Sequence, residues 1–334
     1  MLLQMYWEVR MTKFFKRMAT VGFISLATST MAWAEKAFTV ALIPGLTTDA
    51  FYITMHKGAE AAAKEFSVNL IYQGATDWNV TLQMPVLNAV IARKPDAILI
   101  ANVDKDQLTP TLKAASDQGI KILTLDQFIG DGVYGKGFGD GDFATSYIAS
   151  DNELGGRIAA NNLAKAIGEK GSVYVANVKP GITATDARQR GFIDEMKKYP
   201  NVKVLETQFN DDDASKGSAQ LAAVLARSPD LAGVFGANLF SAFGAADGVK
   251  AAGKKGQIKI VAFDAPTRIV ADLKSGLVDM AIAQHPYEMG YYGVVGALAA
   301  LRGHSVPAKI GTGFTVMTKD NVSDPKVSQF IYSE

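Results

Sequence analysis

The sequence predicts an α/β protein made of two doubly wound, parallel-sheet lobes. Three observations carry that prediction. Short β-branched apolar runs alternate with helical periodicity from residue 36 onward, and βαβ alternation builds parallel sheets covered by helices on both faces. The alternation halts at a glycine-rich segment and restarts after Ser150, so sheet-length series stand on both sides of it. A chain of 334 residues is long enough for two domains with sizeable cores.

The elements follow in order. Phe38–Ile43, Val68–Tyr72, Ala97–Ile100 and Lys121–Leu125 have the length and composition of buried strands. Between them, Phe51–Phe66, Val80–Arg93 and Gln107–Asp117 carry helical periodicity, and Gly119 stands where a C-terminal cap belongs. After Tyr147–Ser150 come helix Asn152–Ile167, strand Ser172–Val178, a helix from Thr183 to Lys198, and strand Val202–Phe209. Helix Ala214–Arg227, strand Leu231–Phe235 and helix Phe240–Ala252 lead to two more strands, Ile258–Phe263 and Val278–Ala283, each followed by helical periodicity. The last helix, Glu288–Arg302, is apolar all round between Tyr291 and Ala300, which predicts burial in a lobe core.

Composition excludes several function classes. Hydrophobic content of 48% with 20% charged residues describes a soluble globular chain. A formal net charge of +1 gives no electrostatic case for nucleic acid or an anionic membrane. The absence of cysteine excludes disulfides, thiolate metal sites and cysteine nucleophiles. The N-terminus carries an address: Lys13, Lys16 and Arg17, then the short apolar stretch Met18–Met31, then Ala32-Trp33-Ala34. That is the pattern of a secretory signal peptide over 11–34, cleaved after Ala34, with residues 1–10 an over-extended start before Met11. Its apolar core falls short of the roughly 20 residues that span a bilayer.

The glycine-rich segment Gly130–Asp142 contains the spacing Gly130-x-Gly132-x-x-Gly135, formally a dinucleotide fingerprint. Further glycine follows where a helix should start, so the context fails. Asp131, Asp140 and Asp142 lack the spacing and the glutamate of a calcium loop. The segment is expected to be a mobile surface loop, and neither metal nor cofactor is expected anywhere in the chain.

Candidate binding residues lie just past the strands, where open α/β sheets bind ligands. Asp49, Phe51 and Tyr52 follow the first strand, Asp126 and Gln127 follow Lys121–Leu125, and Arg188 lies on the first turns of the helix after Ser172–Val178. Asn238, Asp264 and Gln284 follow the strands of the second half. Helix capping accounts for any one of these but does not predict a guanidinium, two amides and an aromatic pair together. Carboxylates accept from hydroxyls, a guanidinium donates a planar fork, and amides do both. Aromatic rings supply flat apolar surface for C–H faces. The set therefore suits a sugar or polyol, and a single arginine among the carboxylates argues against an anionic ligand.

On these residues the chain resembles the periplasmic sugar-binding proteins of the ribose-binding type, type I solute-binding components of ABC importers. The stretches Ala149–Ala160 (ASDNELGGRIAA), Ala187–Phe192 (ARQRGF), Val261–Pro266 (VAFDAP) and Ala281–Gly293 (AIAQHPYEMGYYG) carry the resemblance, which covers essentially the whole mature chain. It implies capture of a monosaccharide or sugar alcohol between two closing lobes, delivery to a membrane permease, and a monomeric periplasmic protein. It also implies a three-strand hinge with crossings near Ser150, Gln284 and Phe314. The N-terminal lobe is then 36–150 plus 285–314, and the C-terminal lobe 151–284 plus 315–334. Two departures stand out: Gln127 replaces an arginine common in ribose binders, and Asp212 falls near where those proteins carry an aromatic ring. Losing both suits a less ring-like ligand such as an alditol. The family is related to lactose-repressor-type regulators, but those begin with a DNA-binding helix-turn-helix rather than an export signal.

The alternative is a carbohydrate-active enzyme with Asp126 and Asp264 as paired carboxylates. No G-x-S-x-G, H-E-x-x-H or P-loop motif accompanies them. The histidines are His56, His285 and His304, of which only His285 stands beside a candidate site residue.

Overall fold

The computed structural model describes residues 37–334, so the signal-peptide expectation for residues 1–34 lies outside the described residues. The first series runs β1 (Thr39–Ile43), α1 (Ala50–Glu65), β2 (Asn69–Tyr72), α2 (Val80–Ala92), β3 (Ala97–Ile100), α3 (Thr109–Asp117), β4 (Lys121–Leu125) and β5 (Ser146–Ser150). The second runs α4 (Asn152–Ala166), β6 (Gly171–Asn177), α5 (Thr183–Met196), β7 (Val202–Val204), β8 (Gln208–Phe209), α6 (Ala214–Arg227), β9 (Leu231–Gly236), α7 (Leu239–Ala251), β10 (Lys259–Phe263), α8 (Thr267–Ser275) and β11 (Met280–Gln284). The chain ends with α9 (Pro286–Leu301), β12 (Lys309–Thr312), β13 (Phe314–Met317) and α10 (Pro325–Ser328). Short polar side chains start the helices: Asp49, Asn79, Asp151, Asp213 and Asn238 each accept a backbone N–H of the helix that follows.

Two sheets result. One has the order β12-β5-β4-β3-β1-β2, and the other β13-β11-β10-β9-β6-β7 with β8 also beside β6. All pairings are parallel except β11 with β13. The winding is the same in both, with β6, β7, β9, β10 and β11 repeating β1, β2, β3, β4 and β5. The chain passes between sheets after Ser150, after Gln284 and at Gly313 between β12 and β13, which makes the expected three-strand hinge. The central strands β1, β3, β9 and β10 are buried on both faces, as parallel strands between helices must be, while edge strands such as β2 and β12 are partly exposed.

Three details differ from expectation. The predicted strand Val202–Phe209 is broken, because after Leu205 N–H bonds Val173 O the chain steps off β6 and rejoins it only at Gln208 and Phe209. Polar Glu206 and Thr207 occupy the step. Helix α9 is not buried all round: Met289, Gly290, Gly293, Val294 and Ala297 face inward, while Tyr287 and Tyr292 are 45% and 40% exposed. Its small residues raised the apolar content without widening the buried face. The glycine-rich segment lies at the surface but is anchored: Tyr134 is buried, and its hydroxyl pairs with Thr124 Oγ1 at 2.8 Å and accepts Ile129 N–H at 2.9 Å.

Helix pairs are held close by reciprocal glycines. A Cβ on Gly58 of α1 would stand 1.9 Å from Tyr287 O, and one on Gly290 of α9 would stand 1.9 Å from Met55 O. Helices α4 and α5 repeat the device: Gly156 faces Arg188 O at 2.0 Å and Gly191 faces Glu153 O at 2.0 Å. These crossings set the height of α1 and α5, the helices that carry Tyr52 and Arg188. Inserting a methyl group into either crossing meets backbone that cannot rotate away. Gly156→Ala and Gly290→Ala are each expected to cost about 3 kcal/mol in urea denaturation. Gly311→Ala, where nothing lies within 4 Å of the added carbon, is expected to stay within about 0.5 kcal/mol.

Candidate functional site

The carboxyl ends of both sheets meet around one cavity lined by Asp49, Phe51, Tyr52, Trp78, Asp126, Gln127, Val178, Ile182, Thr185, Arg188, Asp212, Asn238, Asp264 and Gln284. About 50 Å³ of it is open to the centre of a water molecule. A water needs about 10–15 Å³ by that measure, so the space admits one small solute and excludes an oligosaccharide.

The first sheet supplies an aromatic wall and a carboxylate. Asp49 caps α1 through its Oδ1, which accepts Phe51 N–H at 2.8 Å. That cap places Phe51 and Tyr52 at the start of the helix, with their rings edge-on at 5.0 Å and Tyr52 stacked on Trp78 at 6.3 Å. The Tyr52 hydroxyl donates to Asp126 Oδ2 at 2.9 Å, and Gln127 Nε2 donates to the same oxygen at 3.1 Å. Gln127 Oε1 accepts Thr183 Oγ1–H at 2.5 Å and Ala184 N–H at 3.0 Å, tying β4 of one sheet to α5 of the other.

The second sheet supplies the guanidinium and two more carboxylates. Arg188 donates from Nε to Asn152 Oδ1 and from Nη1 to Ala237 O, both at 2.8 Å, and its plane lies 3.9 Å over the Phe263 ring. Among the described residues its hydrogen bonds engage Nε and Nη1, and the residue lines the cavity. Asn238 caps α7 through Ser241 N–H and donates from Nδ2 to Asp212 Oδ1 at 2.7 Å. Asp264 does not cap α8, whose cap residue Pro266 makes no side-chain bond. Instead Asp264 Oδ1 accepts from Gln284 Nε2 and from the Tyr332 hydroxyl, both at 2.9 Å.

Burial dominates the electrostatics. It pushes the Asp49 carboxyl up to about 8, with Asp264, Asp212 and Asp126 adding to the rise and Phe51 N–H opposing it. Burial also raises Asp212 to about 6, against the hydrogen bond from Asn238. Asp126 is raised by burial too, with the Arg188 charge and the Tyr52 hydroxyl pulling the other way. One guanidinium beside four carboxyl groups, some of them held towards the neutral form by burial, suits an uncharged solute better than an anion. Among the described residues, Trp78 Nε1, Thr185 Oγ1 and Gln284 Oε1 are buried without a hydrogen-bond partner. An unpaired buried polar group costs about 1–3 kcal/mol, and a solute rich in hydroxyls relieves that cost.

All nine residues singled out from the sequence line this cavity. Two of them, Asp49 and Asn238, do cap helices, so each offers the cavity only part of its side chain. Gln127 has both ends of its amide engaged by protein. Trp78 and Thr185 were missed. Trp78 lies in the loop beyond β2, six residues past the strand's end, and Thr185 sits on the first turn of α5, three residues before Arg188. Trp78 adds a ring to the wall of the site, which answers one of the two departures that pointed to an alditol and leaves Gln127 as the other.

Comparison with known proteins agrees with this architecture. The model of the periplasmic binding protein domain matches residues 40–305. The crystal structure of an ABC transporter solute-binding protein from Agrobacterium vitis, bound with alpha-D-tagatopyranose, is 65% identical and superimposes with a TM-score of 0.88 over 89% of this chain and 100% of that one. A carbohydrate transporter solute-binding protein from Agrobacterium radiobacter, in complex with D-arabinose, is 30% identical with a TM-score of 0.82 over 89% of this chain and 100% of that one. The D-ribose/D-allose-binding protein of Pseudomonas aeruginosa is 30% identical over 272 residues, 80% of this chain and 83% of the relative. With two equally wound sheets, a polar cavity between their carboxyl ends and a family match over most of its length, the chain belongs to the periplasmic binding protein family.

Proposed function

We propose that this protein captures a monosaccharide in the periplasm, foremost a ketohexose in its pyranose form, and hands it to an ABC permease. The observation that carries this reading is the cavity itself. Its rings, carboxyl groups and guanidinium surround a small space of about 50 Å³ between the two sheets. The Agrobacterium vitis relative, at 65% identity, holds a pyranose, and the stack of Tyr52 on Trp78 suits the flat face of a sugar ring. The relatives compared are transporter components rather than enzymes, and nothing near Asp126 or Asp264 favours hydrolysis.

In this reading the nine residues Asp49, Phe51, Tyr52, Asp126, Gln127, Arg188, Asn238, Asp264 and Gln284 form the binding site, helped by Trp78 and Thr185. The lobes are 36–150 plus 285–314 and 151–284 plus 315–334. They swing about the crossings at Ser150, Gln284 and Gly313, closing over the sugar and excluding water, which strengthens each polar contact. The protein acts as a monomer, is exported by a signal peptide over residues 11–34, and presents the surface formed by both closed lobes to the permease.

A thermal-shift panel of D-tagatose, D-ribose, D-allose, D-arabinose and galactitol checks the ligand class. D-tagatose is expected to raise the melting temperature most and to be recovered unchanged, whereas consumption of the sugar revives the enzyme alternative. Asp264→Ala and Arg188→Ala are each expected to weaken binding at least tenfold, about 1.4 kcal/mol, in titration calorimetry.

Closure also has a predicted pH dependence. Asp49 and Asp212 sit at about 8 and about 6 with the lobes together, against 3.8 for an ordinary aspartate. A carboxyl whose pKa rises on closing takes up a proton, so closing is favoured by acid and opposed as pH rises through the window from about 4 to about 8. The sugar-free protein is expected to show a smaller radius of gyration by X-ray scattering at pH 5 than at pH 8.5. Asp49→Asn is expected to flatten that difference.

A further inference from the structure

The two carboxylates Asp126 and Asp264 occupy matching places in the two sheets, one residue past β4 and β10. Both have left-handed backbone, with φ of 61° and 77°. Each donates its backbone N–H to the next strand, Asp126 to Ile148 O and Asp264 to Ile282 O. Each also has one carboxylate oxygen doubly engaged by a tyrosine hydroxyl and a glutamine amide. For Asp126 the tyrosine is Tyr52, a wall of the cavity. For Asp264 it is Tyr332, two residues before the chain's final residue and not among the cavity walls.

We propose that Tyr332 is a positioning residue that selects the ligand by fixing which oxygen of Asp264 is offered to it. The inference rests on the sugar-binding reading above. The hydroxyl of Tyr332 accepts Gln284 N–H at 2.9 Å, so its single proton points to Asp264 Oδ1, also at 2.9 Å. With Gln284 Nε2 on the same oxygen, Oδ1 is saturated and the carboxylate cannot turn about its last bond without breaking two hydrogen bonds. Oδ2 alone remains to accept a ligand hydroxyl, from one direction. A sugar lacking a hydroxyl at that point, or presenting it on the other face of the ring, leaves a buried carboxylate oxygen unpaired.

The tail is anchored so that this tyrosine is well placed. Tyr332 N–H bonds Ala265 O at 3.0 Å, and Glu334 Oε1 accepts Thr267 N–H at 3.2 Å, both on the side of the second sheet. Ser333 N–H bonds Thr54 Oγ1 at 2.7 Å on α1, and the Tyr332 ring lies 5.9 Å from Phe51, both on the side of the first sheet. The tail thus adds a further bridge between the lobes, one made, like that of Gln127, without a chain crossing.

The test is Tyr332→Phe, which keeps the ring and removes only the hydroxyl, titrated with D-tagatose and each of its monodeoxy analogues. The variant is expected to bind D-tagatose about tenfold more weakly. It is also expected to lose at least fivefold of the wild-type preference for D-tagatose over one monodeoxy analogue, because the freed Asp264 carboxylate turns to reach other partners. Selectivity is a ratio that a uniformly looser site leaves unchanged, so a purely structural role for Tyr332 moves affinity and melting temperature without moving it. Unchanged affinity and ratios in Tyr332→Phe, alongside lost binding in Asp264→Ala, overturn the inference and leave the sugar-binding reading standing. A wild-type protein that binds no D-tagatose overturns this ligand assignment and the inference with it.

Discussion

Four carboxyl groups gathered around one small cavity are the constraint on which the rest of this structure turns. Keeping a carboxyl group away from water is costly whether it stays ionised or takes up a proton: Asp49, Asp126 and Asp264 are buried, Asp212 is half-buried, and Arg188 lines the cavity with them while Lys179 acts on Asp212. The protein meets part of that cost with hydrogen bonds: a helix N-terminus for Asp49, an amide for Asp212, and a tyrosine with a glutamine for each of Asp126 and Asp264. Part of it remains unmet. A solute that donates several hydrogen bonds and carries no negative charge completes the set, so affinity and lobe closure draw on the same deficit.

Holding those groups at fixed separations needs rigid supports. The reciprocal glycines between α1 and α9, and between α4 and α5, let helices approach until backbone touches backbone. The site residues Tyr52 and Arg188 ride on two of these helices. Arg188 is further clamped between Asn152, Ala237 and the Phe263 ring, and Phe263 in turn packs against Phe235 and Phe314. The aromatic core of the second lobe is therefore continuous with the guanidinium that faces the cavity.

Several stretches that marked the family in the sequence now have physical reasons. Gly156 in ASDNELGGRIAA, Gly191 in ARQRGF and Gly290 in the AIAQHPYEMGYYG run are the contact points of the two helix crossings. Asp264 in VAFDAP ends β10 in a left-handed turn that points it inward rather than onto the following helix. Capping, which sequence alone could not assign at the strand ends, falls to Asp49 and Asn238, which line the cavity as well, whereas Asp126 and Asp264 line it without capping.

Period and composition determined the βα alternation, the two lobes and the polar residues at the strand ends, because each is a local signal written within a few residues. Trp78, the lobe-to-lobe bond of Gln127, the C-terminal tail across the hinge and the tyrosine behind Asp264 were decided only by tertiary structure. They join residues far apart in the chain, such as Tyr332 with Asp264 and Ser333 with Thr54. No window along the sequence contains both partners, and neither partner has a composition that announces the other. Only the packing of two sheets around a common cavity brings them together.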